Sequence, residues 1–321
     1  MESDIIKTER SMLLTCMGLK EGEKVFVIFN PSRKSEAGPV MEASKATGCK
    51  VSWAQADEHI KKDDALPNAI EEGFGTADVV LLLVNNIQNQ IFGHHPTKKE
   101  ATVRGARIGF ITTKVTGFSP DRIARIAYVS KSLRDILYEA ESARLKSELG
   151  TDLEMDLTGR EAIYFTNYLK KPGDWGAIPD YAEATTSPVE GTAEGTLVVD
   201  GTIVGVGLVQ KPTRFTISGG KITQFDDNRE AMALREMLEK AEGDVYAVAE
   251  LGLGTNEFAR EFTGEFDDKK ILGGVHIGIG DNRTWHGSQV ATVHIDLILK
   301  KVSLELDGRP LLENGRLVRE V

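Results

Sequence analysis

Residues 78–84 read DVVLLLV. Six consecutive apolar residues suit a strand buried on both faces, because successive side chains point to opposite sides of a sheet. Runs of the same kind lie on either side: KVFVIFN (24–30) and VSWAQAD (51–57) before it, ARIGFITT (106–113) after it. Segments with helical character fall between them, at about 4–18, from Ser35, at about 64–73 and near 97–105. Strand runs rich in Val and Ile that alternate with helices spell a parallel sheet covered on both faces. Residues 1–148 are therefore expected to form a Rossmann-like α/β domain. The likeness is one of layout only. After the first strand the chain reads FNPSRKSEAGP, with Ser32, Arg33 and Lys34 in place of G-x-G-x-x-G, so dinucleotide binding is not expected.

Helices at about 119–129 and 131–149, the second reading SLRDILYEAESARLKSEL, are expected to bridge to the second half. Beyond Gly150 the pattern changes to hydrophobic alternation broken by DG and GG turns, as in GTLVVDGTIVGVGLVQKPTRFTISGGKITQF (195–225). One helix is expected at about 229–242, followed by AVAELGLGTN (247–256), ILGGVHIGIG (271–280) and SQVATVHIDLILKKVSLELDG (288–308). Residues 149–321 are expected to form an α+β domain dominated by antiparallel strands.

With 321 residues and 40% apolar content the chain can build two real cores. A net charge of −10 disfavours nucleic acid and anionic membrane surfaces, both of which need a concentrated basic face. The KK pairs at 98–99 and 300–301 read as solvated faces. No run approaches the length of a membrane span, and MESDIIKTER reads as an amphipathic helix rather than a signal peptide. Only Cys16 and Cys49 are present, and neither has the spacing of a zinc knuckle. A cytoplasmic protein acting on a small molecule or short peptide is expected.

In ATVHID (291–296), His294 and Asp296 are two apart on a strand and project from the same face. A buried Asp without a partner is costly, so Asp296 calls for solvent or a cation beside it. Three more glycine-rich strand ends carry potential ligands: Glu183 in IPDYAEATTSP, Glu250 in AELGLGTN and His276 in GGVHIGIG. Taken singly, each has an ordinary explanation, as a core histidine or a loop carboxylate. Together, three carboxylates and two imidazoles suit one or two divalent first-row ions.

The second half resembles the M29 aminopeptidases, the aminopeptidase T and S group. The likeness rests on PDYAEATTSPVEGTAEG, AELGLGTNEFA, KKILGGVHIGIGDN and the H-x-D strand, and covers most of residues 175–300. It implies that Glu183, Glu250, His276, His294 and Asp296 hold a pair of Zn, Co or Mn ions between the two domains, and that the enzyme is a homodimer. It also implies a hydrolase that cleaves an N-terminal amide or similar C–N bond, with Glu183 or Glu250 as bridging ligand and proton acceptor. The chain departs from that family in having Arg283 where a tyrosine is usual and His286 where glycine is common.

In length and tail the chain also resembles a shorter related group, the 2,5-dihydroxypyridine 5,6-dioxygenases. On that alternative, His276, His294 and Asp296 form a 2-His-1-carboxylate triad for one Fe(II), and Glu183 and Glu250 support it. His94 and His95, in GHHPTKK, then either supply an acid or base across the cleft or remain an exposed loop pair. The hydrolase is the first expectation because five ligand positions are kept. A metal-stabilised protein without chemistry is the least expected, since structural sites are usually rich in thiolates.

Overall fold

The computed structural model describes residues 3–57, 60, 65–85, 88, 91–93, 95–111, 118–179, 181–259, 261–319 and 321. The chain divides into two compact units, residues 1–127 with 166–181, and residues 128–165 with 182–321.

The first unit is built on a five-stranded sheet. Its order is Lys50–Gln55, Lys24–Phe29, Val79–Leu83, Arg107–Ile111 and Trp175–Ile178, and every neighbouring pair is parallel. The alternation inside each run explains the unbroken apolar sequence. Val25, Val27, Phe29, Val79, Leu81 and Leu83 enter one core, whereas Phe26, Ile28, Val80 and Leu82 enter a second. Helices cover both faces, and the contact can be close: a β-carbon on Gly73, in the helix Asn68–Thr76, would lie 2.1 Å from the Phe26 ring. This is the α/β layout expected from the repeating apolar runs.

The fifth strand, Trp175–Ile178, lies in GDWGAIPD, which carries no strand signal of its own. Lys98 also differs from expectation. It is buried, with Nζ 3.2 Å from the centroid of the Trp175 ring, because an ammonium over an indole face replaces part of its hydration.

The second unit holds an eight-stranded and a seven-stranded sheet, in keeping with the expected strand-rich α+β half. The segment expected as helix to about 149 ends earlier. A single helix runs Pro120–Glu139, and Ser142–Lys146 is a strand between Asp152–Asp156 and Ser303–Leu306. Residues such as Arg144 and Lys146 favour helix locally, but Ala143 and Leu145 alternate into the core, and pairing on both edges outweighs local preference.

The seven-stranded sheet carries the site. Its order is Gly207–Leu208, Thr202–Ile203, His294–Leu299, Val275–Gly280, Val248–Gly254, Glu183–Thr186 and Ala162–Phe165. Ala184, Leu251, Leu253, Val275, Ile277, Ile279, Ile295, Leu297 and Leu299 share one core with Leu145, Leu153, Leu197 and Phe215 of the other sheet. With those residues turned inward, the period of two sends Glu183, Thr185, Glu250, His276, His294 and Asp296 to the opposite face. A register irregularity between Val248 and Glu250 lets Val248 join the core while Glu250 joins the polar face.

Candidate metal centre

On this face four adjacent strands pair antiparallel, with Gly278 opposite both Glu250 and Asp296 and with Gly252 opposite His276 and Thr185. The glycines leave the space that the ligands fill. A β-carbon on Gly252 would lie 2.0 Å from His276 Nε2, and one on Gly278 would lie 2.6 Å from His294 Cε1. Neither clash could be relieved without moving a functional ring.

All five residues singled out from sequence meet here. His276 Nε2 lies 3.2 Å from Glu250 Oε1 and 3.3 Å from Glu183 Oε2. His294 Nε2 lies 2.8 Å from Glu250 Oε2 and 3.4 Å from Asp296 Oδ1. Two overlapping groups result, Glu183–Glu250–His276 and Glu250–His294–Asp296, each with ligand atoms within 4.8 Å of one another. Glu250 belongs to both. The set expected for a one-iron site, His276–His294–Asp296, is thus divided between them.

The two imidazoles are held differently. Nδ1 of His294 donates to the main-chain oxygen of Asp281 at 2.8 Å, which leaves Nε2 aimed at the carboxylates. A carbonyl acceptor on the far nitrogen is how a metal-binding histidine is usually fixed in tautomer and direction. Trp285 stacks on the same ring, with centroids 5.1 Å apart. His276 is fully buried and its Nδ1 has no partner, whereas its Nε2 is within hydrogen-bond distance of Glu250 Oε1.

The electrostatics follow from burial and mutual attraction. Burial works against charge on His294, but the carboxylates of Asp296 and Glu250 beside its ring raise its pKa to about 10. Glu250 and Asp296 are penalised by burial as well, yet Lys269 and His294, joined by His276 at Glu250, hold both well below the usual carboxylate range. Anions that keep a proton on the neighbouring His294 this firmly attract a divalent cation by the same field. Two buried oxygens, Asp296 Oδ1 and Glu183 Oε2, accept no hydrogen bond. An oxygen-and-imidazole donor set with spare lone pairs fits a first-row divalent ion.

Sequence reasoning missed Lys269 and Lys270. Lys270 Nζ lies 2.5 Å from Glu183 Oε1, and Lys269 Nζ lies 2.9 Å from Asp296 Oδ2 and 3.8 Å from Glu183 Oε2. Both are buried at the end of the short 3-10 segment Phe266–Lys270. Asp268 fastens that segment by accepting from Thr202 Oγ1 and from the main-chain N–H groups of Thr263 and Gly264. FDDKK, two acids followed by two bases, has the composition of an ordinary solvated turn. The one available signal was two lysines six and seven residues before a candidate ligand.

The other histidines lie elsewhere. His95 Nδ1 accepts from the Thr97 N–H and caps the helix Pro96–Arg104, so it serves a local role. His94 lies outside the described residues. His286 is exposed with φ of 60°, a conformation that favours glycine. Arg283 turns to Asp281, Nε to Oδ2 2.6 Å, with most of its side chain in solvent.

The family model described as NicX, 2,5-dihydroxypyridine 5,6-dioxygenase, matches residues 5–319. The chain belongs to this family. A curated relative, the 2,5-dihydroxypyridine 5,6-dioxygenase of Pseudomonas putida KT2440, is 23% identical over 304 residues, covering 87% of this chain and 81% of the relative. The solved structure of a 2,5-dihydroxypyridine dioxygenase from the same organism superposes with a TM-score of 0.78 at 20% identity, covering 100% of this chain and 98% of that one. AmpT from Thermus thermophilus superposes with a TM-score of 0.67 at 15% identity, covering 98% and 99%. These two superpositions show a shared fold. Membership of the NicX family overturns the first expectation, a metal-dependent hydrolase of the aminopeptidase type acting on peptides. Carboxylates and imidazoles serve both chemistries, so the ligand set by itself could not separate them. Among the described residues no helix is long and apolar enough to cross a membrane.

Proposed function

We propose that the chain is a one-iron, non-haem ring-cleaving dioxygenase whose substrate is a small electron-rich hydroxylated ring of the dihydroxypyridine type. The observation that carries this reading is the family match over residues 5–319, onto which the buried carboxylate–imidazole cluster falls. Glu250, His294 and Asp296 would hold the ion, with His276 fixing the carboxylate of Glu250 from its Nε2. Iron(II), when bound, would supply an open-shell centre that lifts the spin barrier between dioxygen and a closed-shell ring, with the ring itself furnishing the four electrons.

The protein's own residues orient and protect that chemistry. Asp281 holds the His294 ring in place through its carbonyl, and Trp285 fixes the plane of that ring by stacking. Glu183, Glu250, His276 and Asp296 are at most 1% exposed, whereas the His294 side chain is 25% exposed, so approach is from the His294 side. Restricting water there strengthens each charge interaction within the site. Glu183 Oε2, which accepts no hydrogen bond, is the atom able to take the proton that a ring hydroxyl loses on binding. The homodimer implied by the sequence resemblance belongs to this reading and is tested by light scattering.

The deciding experiment loads anaerobic protein with Fe(II), or separately with Zn(II), Co(II) or Mn(II), and offers 2,5-dihydroxypyridine while oxygen is recorded. Iron-specific oxygen uptake matched one to one by loss of the ring absorbance is expected. Absence of uptake with iron-loaded, folded protein would sink the proposal.

A further inference from the structure

We propose that Lys269 and Lys270 take the place of a second metal ion, so that this cluster accepts one divalent ion rather than two. The inference rests on the one-iron reading above and explains how the chain enforces it. Three buried carboxylates and two imidazoles are donors enough for a two-ion centre, in which bridging carboxylates offset the repulsion between cations. Here the positive charge is already built into the chain.

Lys270 Nζ sits 2.5 Å from Glu183 Oε1, and a metal bound there would need the same lone pairs at about 2.0–2.2 Å. Lys269 Nζ covers Asp296 Oδ2 at 2.9 Å and also faces Glu183 Oε2 at 3.8 Å. The two ammonium groups are not loosely placed. Nζ of Lys269 and of Lys270 lie 4.5 and 5.7 Å from the centroid of the Phe266 ring. The main chain is tied as well: Asn256 N–H donates to the Lys270 carbonyl and Leu272 N–H to that of Asn256, at 2.8 and 3.0 Å.

The charge count gives the same answer. Glu183, Glu250 and Asp296 carry three negative charges, and the lysines return two. One divalent ion, with both imidazoles neutral, leaves a single positive charge in a buried site, and a second would leave three. The atoms agree. Lys270 and Lys269 each take a carboxylate oxygen that a second ion would need, Glu183 Oε1 and Asp296 Oδ2, while Nε2 of His294 stays directed at Glu250 and Asp296.

The test counts ions by equilibrium dialysis against Zn(II) with elemental analysis, which does not depend on turnover. Wild type is expected to bind one ion per chain. Lys270→Met should admit a second, and Lys269→Met should tighten second-ion binding at least tenfold. Lys270→Arg, which keeps the charge, should remain at one. If Lys270→Met is unstable alone, the double variant Lys270→Met with Glu183→Gln removes the pair as a unit and should also remain at one. Wild type binding two ions, or both Met variants folded and still binding one with unchanged affinity, overturns the lysine proposal. Wild type binding none overturns the one-iron reading separately; the lysine proposal then stands if Lys270→Met gains an ion and falls if it does not.

Discussion

Gly278 and His294 share a space that only one of them can fill: a β-carbon on Gly278 would lie 2.6 Å from Cε1 of the imidazole and 2.7 Å from Cβ of Glu250. Gly278→Ala is therefore expected to push His294 out of line with Glu250 and Asp296. Metal affinity should fall at least tenfold, with a stability loss of about 1–3 kcal/mol from overpacking. Isothermal titration with Zn(II) and denaturant unfolding measure the two effects. Unchanged affinity would show that the close approach is not what sets the ligand geometry.

Removal of ligands should separate the two halves of the cluster. His294→Ala and Asp296→Ala are each expected to abolish stoichiometric metal, because the ion loses a direct donor. Glu183→Gln should keep about one ion while losing most activity, since Glu183 is tied to Lys270 and serves as proton acceptor. Glu183→Ala should destabilise by about 3–5 kcal/mol, because it leaves a buried ammonium without its carboxylate. Full metal retention in the His294 and Asp296 variants would refute the assignment.

Trp285 is expected to act through the ring it stacks on. Trp285→Phe keeps an aromatic plane beside His294 and should change kcat/KM by less than about tenfold. Trp285→Ala removes the plane and should cost about a hundredfold, in line with the effect of disturbing groups that orient a metal ligand. Equal effects from the two variants would mean that the stack plays no part in orientation.

Glu190 anchors the loop that carries Asp281 and Trp285, and it makes stability depend on acid. Partial burial works against its charge, but hydrogen bonds from Ser288 N–H, Asn282 Nδ2 and Arg160 bring its pKa down from 4.5 to about 2. A carboxylate with a lowered folded-state pKa contributes stability above its unfolded value, and that contribution is lost as pH falls toward about 2. Glu190→Gln should lower Tm by a few degrees at pH 7 and flatten the fall in Tm between about pH 5 and pH 2. Parallel Tm curves for wild type and variant across that range would show that the network contributes nothing.

Much of this was legible in the sequence because it depends on short-range periodicity. Unbroken apolar runs at 24–30 and 78–84 can be buried on both faces only in a covered parallel sheet, and two such cores are present. The spacing of two between His294 and Asp296 put both on one face before any strand was paired. The glycines beside Glu250 and His276 signalled close packing, and Gly252 and Gly278 do leave the room those side chains need.

What the tertiary structure decided depends on residues far apart in the chain. Trp175–Ile178 becomes a strand because Arg107–Ile111 offers it a free edge, and Ser142–Lys146 leaves helix because two neighbours pair with it. The partners of Lys269 and Lys270 likewise stand on other strands, Glu183 86 or 87 positions earlier in the chain and Asp296 27 positions after Lys269. A lysine in FDDKK is chemically the same whether it faces water or a buried carboxylate. Periodicity reports which face a side chain takes, but the charge it meets there depends on which strands the fold brings alongside.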